Sequence, residues 1–310
     1  MLAKPVVDIA RKIKALKIQG ARNVSFWAVK AMALQARHSK AKSVPELCKE
    51  LFLTADYLAG LRPTEPMLQN SLRNAVRATL LEMNKAKSHA QETGHLRQAI
   101  TDFARNYEVK SNNNLELLAL SGAQLIRDGE TILTHCHSSS VEAILKRAHA
   151  AAKSFKVIAT ATRPKFQGHI TMANLSDAGI DVTAIVDGAV SSFMRDCSKV
   201  LVGADAVSST GDLVNKIGTL TIAHVASAYS VPLYSAAELY KYDTLTQWGA
   251  MSVLEERAPE ELLEPKKFPN VVVRNPAFDL TPARYVAGYI TEKGLFAPQA
   301  LPSMARQLLK

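Results

Sequence analysis

The sequence is short of the features that would commit a chain to export, membranes or metal. Its three cysteines, Cys48, Cys136 and Cys197, cannot all pair within one chain. The start, Met1-Leu2-Ala3-Lys4-Pro5, lacks the apolar core of a secretion signal. No apolar run approaches the ~18 residues of a membrane span. A protein of the reducing cytoplasm, with no membrane association, is expected. Dinucleotide (G-x-G-x-x-G), phosphate-loop (G-x-x-x-x-G-K-[ST]) and zinc-helix (H-E-x-x-H) motifs are missing too. His135 and His137 flank Cys136, but adjacent residues on an extended segment point apart and no second Cys/His cluster is near in sequence, so no metal is expected. Basic residues are scattered, and no alternation of aromatic and basic residues suggests RNA binding. The net charge of +10 favours an anionic partner, either RNA or a phosphorylated metabolite.

With 310 residues and 47% hydrophobic content, the chain can bury a large core, divided between two domains. Up to about residue 112 apolar residues recur at three- and four-residue intervals (Val6, Ile9, Ala10, Ile13, Leu16, then Val24, Trp27, Ala28, Ala31), which predicts successive helices. Arg11 to Lys17 reads as the solvated face of one of them. From about residue 130, β-rich runs at 131–136, 156–162, 181–187, 199–205 and 231–236 alternate with amphipathic helices, a βαβ rhythm. The fold class is therefore α/β: an N-terminal helical domain, 1–112, followed by a Rossmann-like parallel-sheet domain, 113–310. The polar stretch Lys110-Ser111-Asn112-Asn113-Asn114 marks the boundary as a cap or short linker. Glu255 to Lys267 reads as a surface excursion, and Asn270-Val271-Val272-Val273 as the last strand. Cys48 and Cys197 sit among apolar neighbours and are expected in the core.

Cys136 and Asp205 end two of the predicted strands. In an open parallel sheet the strand C-termini share one edge, so the two can face one crevice as an acid/base pair. His137, Ser138 and Ser139 follow the first strand into a helix, where serines cap and exposed amides seat an anion. A thiol beside a helix N-terminus and imidazoles is expected to have a lowered pKa. Asn215 and Lys216 are placed at the start of a later helix as phosphate contacts, Lys241 follows another strand, and Arg163 and Gln167 follow a third. Asp187 occupies a similar position but reads as a helix cap. These residues suit a sugar-phosphate isomerase.

Six segments stand in one order: Thr134-His135-Cys136 with its serines, Thr162-Arg163-Pro164-Lys165-Phe166-Gln167-Gly168, Gly203-Ala204-Asp205, Asn215-Lys216-Ile217-Gly218-Thr219, Ala237-Glu238-Leu239-Tyr240-Lys241 and Asn275-Pro276-Ala277-Phe278-Asp279. Together they resemble the superfamily joining ribose-1,5-bisphosphate isomerase, methylthioribose-1-phosphate isomerase and the alpha, beta and delta subunits of translation initiation factor 2B. Gln19-Gly20-Ala21-Arg22 and Arg62-Pro63-Thr64 resemble its Arg-Gly-Ala and Arg-Pro-Thr stretches. Gln19 stands for the expected arginine, Arg22 for a glycine and His137 for an asparagine. The resemblance implies that Cys136 and Asp205 are catalytic and that Gly20, Ala21, Arg22 and Arg62 join the residues above in binding a phosphorylated pentose. It further implies a homo-oligomer, dimer or hexamer, that uses no cofactor. The alternatives are a methylthioribose-1-phosphate isomerase or a non-catalytic regulatory subunit that binds translation initiation factor 2.

Overall fold

A computed structural model describes residues 2–18, 20–85, 90–250 and 255–308. The chain divides into two compact units, Met1–Asn113 and Asn114–Lys310.

The first unit holds α1 (Lys4–Lys14), α2 (Ala21–His38), α3 (Val44–Ala59), α4 (Pro66–Lys85) and the first part of α5 (Ala90–Gln124). Pro5 and Pro45 lie in the first turns of α1 and α3, where the missing N–H is no loss. The periodic residues Val6, Ile9, Ala10, Ile13, Val24, Ala28 and Ala31 are buried in one core with Cys48, Leu51, Leu58, Leu72 and Ile100. Arg11, Lys12 and Lys14 face solvent from α1. Lys110 to Asn114 is neither cap nor linker: it runs inside α5 without a break. Its Lys110, Asn112 and Asn113 are exposed, so the polar side chains are hydrated while the backbone keeps its helical bonds.

In the second unit come β1 (Glu130–Thr134), α6 (Ser139–Ala150), β2 (Phe155–Thr160), α7 (Gly168–Ser176), β3 (Asp181–Ile185), α8 (Val190–Phe193), β4 (Lys199–Val202), β5 (Ala206–Val207), β6 (Leu213–Lys216), α9 (Thr219–Ala228), β7 (Leu233–Ala236), β8 (Phe278–Thr281), β9 (Gly288–Thr291), β10 (Gly294–Phe296) and α10 (Leu301–Leu308). The main sheet has seven strands in the order β10-β9-β7-β4-β1-β2-β3. All its pairings are parallel except β9 with β10. The mostly parallel, helix-covered sheet was expected, and its apolar strands fit burial on both faces: every residue of β4 is buried. Val141, Ile144, Leu145 and Ala148 pack one face of α6 into the core beneath β1 and β2. Each of the larger three contributes roughly 1.5–3 kcal/mol.

From β1 the chain winds outward through β2 to β3, then returns to the other side of β1 to form β4. The order thus reverses between β1 and β4, the point at which open α/β sheets hold ligands. Both candidate catalytic residues follow these two strands.

Two expectations fail here. Residues 270–273 are irregular, and Val271 and Val272 are 51% and 87% exposed. A β-branched run without a neighbouring edge gains nothing from extension; the late strands are β8, β9 and β10 instead. Asn215 and Lys216 belong not to a helix start but to β6, the centre of a small antiparallel sheet, β5-β6-β8. Leu213 and Val214 are buried in that pairing, and the helix waits until Thr219.

Candidate active site

Past β1 the backbone turns sharply. Cys136 has φ +68°, a left-handed conformation uncommon outside glycine. Its N–H donates to Thr162 Oγ1 at 2.9 Å, and its carbonyl accepts from Thr171 Oγ1 at 3.2 Å. Thr162 is left-handed as well, with φ +63°. Its amide and that of Arg163 donate to the two oxygens of Asp187 at 2.9 and 2.8 Å. Strained residues persist only where surroundings hold them, and here Asp187 and two threonines do so.

His135 is buried beneath this turn. Its Nε2 donates to the Ile217 carbonyl at 2.8 Å, so Nδ1 accepts from Thr160 Oγ1 at 2.6 Å. Burial is the main cause that lowers its pKa, so the ring is a neutral Nε2–H tautomer. Thr160 Oγ1 lies 3.3 Å from Thr162 Oγ1, which completes a relay from Ile217 to the Cys136 amide.

The Cys136 thiol is pushed up to about 12, first by burial; the Lys216 charge pulls the other way, while Asp205 and Asp187 add to the rise. The expected lowered pKa is corrected. His135 is neutral and supplies no cation, and loss of water outweighs the amide and lysine. These couplings place Lys216 and Asp205 in electrostatic reach of the sulfur.

Asp205 lies on the bend between β4 and β5, half-buried, its amide donating to the Val214 carbonyl at 2.9 Å. Gly203 lets the two strand ends approach: a Cβ there would lie 2.7 Å from Ser138 Oγ. Ser138 caps α6, its Oγ accepting from Val141 N at 3.4 Å, and Ser139 opens the helix exposed. Asn215 is buried and donates to Thr219 Oγ1 at 3.0 Å. Lys216 Nζ stands 4.9 Å from the centre of the Phe278 ring. His137 turns toward α6 and α7, with Nδ1 at 3.1 Å from Glu142 Oε1 and 3.2 Å from Thr171 Oγ1. Arg163 is exposed and stacks on Phe166 at 5.0 Å, and Gln167 is half-buried at the start of α7. Lys241 is buried in a 3₁₀ turn after β7.

Four predicted residues belong to the first unit. Gly20 caps α2 with φ +83°, and Ala21 is buried. Arg22 donates to Asn112 Oδ1 at 2.6 Å, and Arg62 pairs with Glu65 at 2.7 Å. Gln19 lies outside the described residues. Among the described residues, no three His, Cys, Asp or Glu side chains cluster as metal ligands. Cys48 and Cys197 are buried, as expected.

Sequence reasoning missed His135, Thr160, Thr162 and Asp187 as supports of the thiol, and it named Asp279 only as the end of one of the six segments, without a role. Asp187 had a signal, since it follows β3 at the same sheet edge. Asp279 lies on β8, which the sequence reading did not find. Its Oδ2 accepts from Gly218 N at 2.7 Å and Leu220 N at 3.1 Å, closing the N-terminus of α9. Burial pushes its carboxyl up to about 6.

A sequence model of the initiation factor 2 subunit family matches residues 17–298. The chain is 39% identical to the ribose 1,5-bisphosphate isomerase of Thermococcus kodakarensis, over 99% of this chain and 95% of that protein. It is 33% identical to the methylthioribose-1-phosphate isomerase of Geotalea daltonii, over 93% and 86% of the two chains. The crystal structure of translation initiation factor eIF-2B from Pyrococcus horikoshii superposes with a TM-score of 0.78 at 30% identity, over 96% of this chain and 98% of that one. With the family match spanning most of the sequence, and the superposition spanning both the helices and the sheet, this chain belongs to the initiation factor 2 subunit family.

Proposed function

We propose that the protein is an aldose-ketose isomerase of a phosphorylated pentose, converting ribose 1,5-bisphosphate to ribulose 1,5-bisphosphate without a cofactor. The observation that carries this reading is the placement of Cys136 and Asp205 after the adjacent strands β1 and β4, at the reversal of strand order. The 39% identity to a ribose 1,5-bisphosphate isomerase over nearly the whole chain supports the substrate.

In the proposed reaction, Asp205 in its acid form protonates the furanose ring oxygen as the C1–O bond breaks toward it. Cys136 as thiolate takes the C2 proton, and the C–H electron pair forms the C1–C2 double bond of an enol. The thiol returns that proton to C1, and the 2-hydroxyl proton passes to the Asp205 carboxylate. Both groups are then restored. The charges support this order: ionised Asp205 raises the thiol and Lys216 lowers it, so thiolate is most accessible while Asp205 is protonated. Ser138, Ser139 and the start of α6 suit one phosphate, and Lys216 a second. Asn215, Lys241, Arg163, Gln167 and His137 complete the set, together with Gly20, Ala21, Arg22 and Arg62, which the resemblance assigns. A cytoplasmic homo-oligomer in nucleotide salvage is part of the same reading.

The test is incubation of purified protein with ribose 1,5-bisphosphate and detection of ribulose 1,5-bisphosphate. Turnover of 5-methylthioribose 1-phosphate instead would move the assignment to the other isomerase. Failure on both sugars, with retention of translation initiation factor 2 on immobilised protein, would establish the regulatory reading, which the 30% identical factor from Pyrococcus horikoshii favours.

A further inference from the structure

Asp279 stands apart from the residues that face the substrate edge, yet its surroundings lead there. It is 8% exposed, and its Oδ1 has no hydrogen-bond partner among the described residues. Oδ2 alone holds two amides, Gly218 N and Leu220 N. A helix N-terminus ordinarily welcomes an anion. Here the chain supplies its own, so the Gly218 and Leu220 amides at the start of α9 are already taken, which leaves the α6 turn for the phosphate of the proposed reaction.

Two connections run from this carboxylate to the thiol. One passes along the chain: Gly218, at φ +104°, packs so closely that a Cβ would lie 3.1 Å from His135 Nε2. The neighbouring Ile217 carbonyl accepts from that nitrogen, and the relay continues through Thr160 and Thr162 to the Cys136 amide. The other passes across the small sheet. Asn215 pairs with Asp279 and Lys216 with Phe278, whose ring lies under the Lys216 ammonium. Lys216 is in turn the cation that lowers the thiol.

We infer that Asp279 is a positioning residue of the reaction: by pinning the Gly218 turn it sets both the Cys136 backbone and the Lys216 ammonium. The inference rests on Cys136 being the reacting thiol, and its role is geometric. An asparagine can present one oxygen to the same two amides, whereas alanine cannot.

The experiment uses the full chain and two readouts. The first is alkylation of Cys136 by iodoacetamide at pH 9, followed by peptide mass spectrometry. Far below its midpoint the thiol reacts in proportion to its small thiolate fraction, so displacement of Lys216 appears directly as a slower rate. Lys216→Met sets the reference for that slowing. Asp279→Ala is expected to slow alkylation at least threefold and to lower kcat more than tenfold, with KM rising no more than it does in Lys216→Met. Asp279→Asn should stay within threefold of the parent in every measure. If Asp279→Ala does not fold, Asp279→Ser, too short to reach both amides, takes its place with the same expectation. Wild-type or faster alkylation in a folded Ala or Ser variant overturns the inference, as does an Asn variant as impaired as the Ala variant. Alkylation needs no sugar phosphate, so failure of the proposed reaction and failure of this inference remain distinguishable.

Discussion

At the residue scale, Cys136 and Asp279 show how burial decides chemistry. The sequence argued for an activated thiol from its neighbours, but neighbours in sequence do not reveal desolvation. Burial lowers the His135 pKa, so it brings no cation to the thiol, and burial pushes the thiol up to about 12. If the thiol is the base, Cys136→Ser should lower kcat by orders of magnitude with the melting temperature nearly unchanged. Asp205→Asn should do the same, and near-normal turnover in either variant would remove that residue from the mechanism.

Asp279 allows a prediction on stability. Its carboxyl is raised from 3.8 to about 6, so between these values the folded chain holds a proton that the unfolded chain has released. Stability from this group is therefore fully present below the unfolded pKa and is lost as pH rises through the folded one. The loss is of order 1–3 kcal/mol, the net of burial against the two amides that favour the ion. Asp279→Asn abolishes that dependence. Urea melts of parent and variant at pH 4.5 and 7 should show the variant gaining relative stability at the higher pH. Parallel curves would show that the carboxyl titrates normally.

At the element scale, periodicity served well wherever an element buried a continuous face. The helices of the first unit, the α6 face and the parallel strands could all be read from repeating apolar residues. The two strand failures turn on pairing partners, which the local sequence does not reveal. β6 looked like the approach to a helix because its partner β8 begins 62 residues later, at Phe278. Residues 270–273 have the composition of a strand but no edge to join. Hence Val272→Asp should change stability by less than about 0.5 kcal/mol, whereas Val200→Asp, in fully buried β4, should leave no folded protein. Circular dichroism during thermal melting separates the two. Gly203→Ala falls between them. The new methyl meets Ser138 at 2.7 Å, and the forced shift should cost about 1–3 kcal/mol and, if that turn seats a phosphate as proposed, weaken substrate binding.

At the scale of the whole molecule, the sequence placed the pair at one sheet edge because a parallel topology aligns strand ends. It could not give the strand order, and therefore could not show that the reversal falls between β1 and β4. The net charge of +10 also acts at this scale. If the substrate carries two phosphates, as proposed, that field draws it, and salt screens the attraction. Raising ionic strength from 50 to 500 mM should raise KM several-fold with little change in kcat. A KM indifferent to salt would mean that only short-range contacts capture the sugar.

A sulfur whose proton leaves only near pH 12 is also nearly inert toward the cell's own electrophiles. At pH 7 very little of this thiol is ionised, and it is the ionised form that reacts with peroxide or a disulfide. Burial raises Cys48 and Cys197 as well, so all three unpaired thiols are held mostly in the protonated form. If Cys136 is the base, as proposed, the burial that holds its proton also shields it between turnovers.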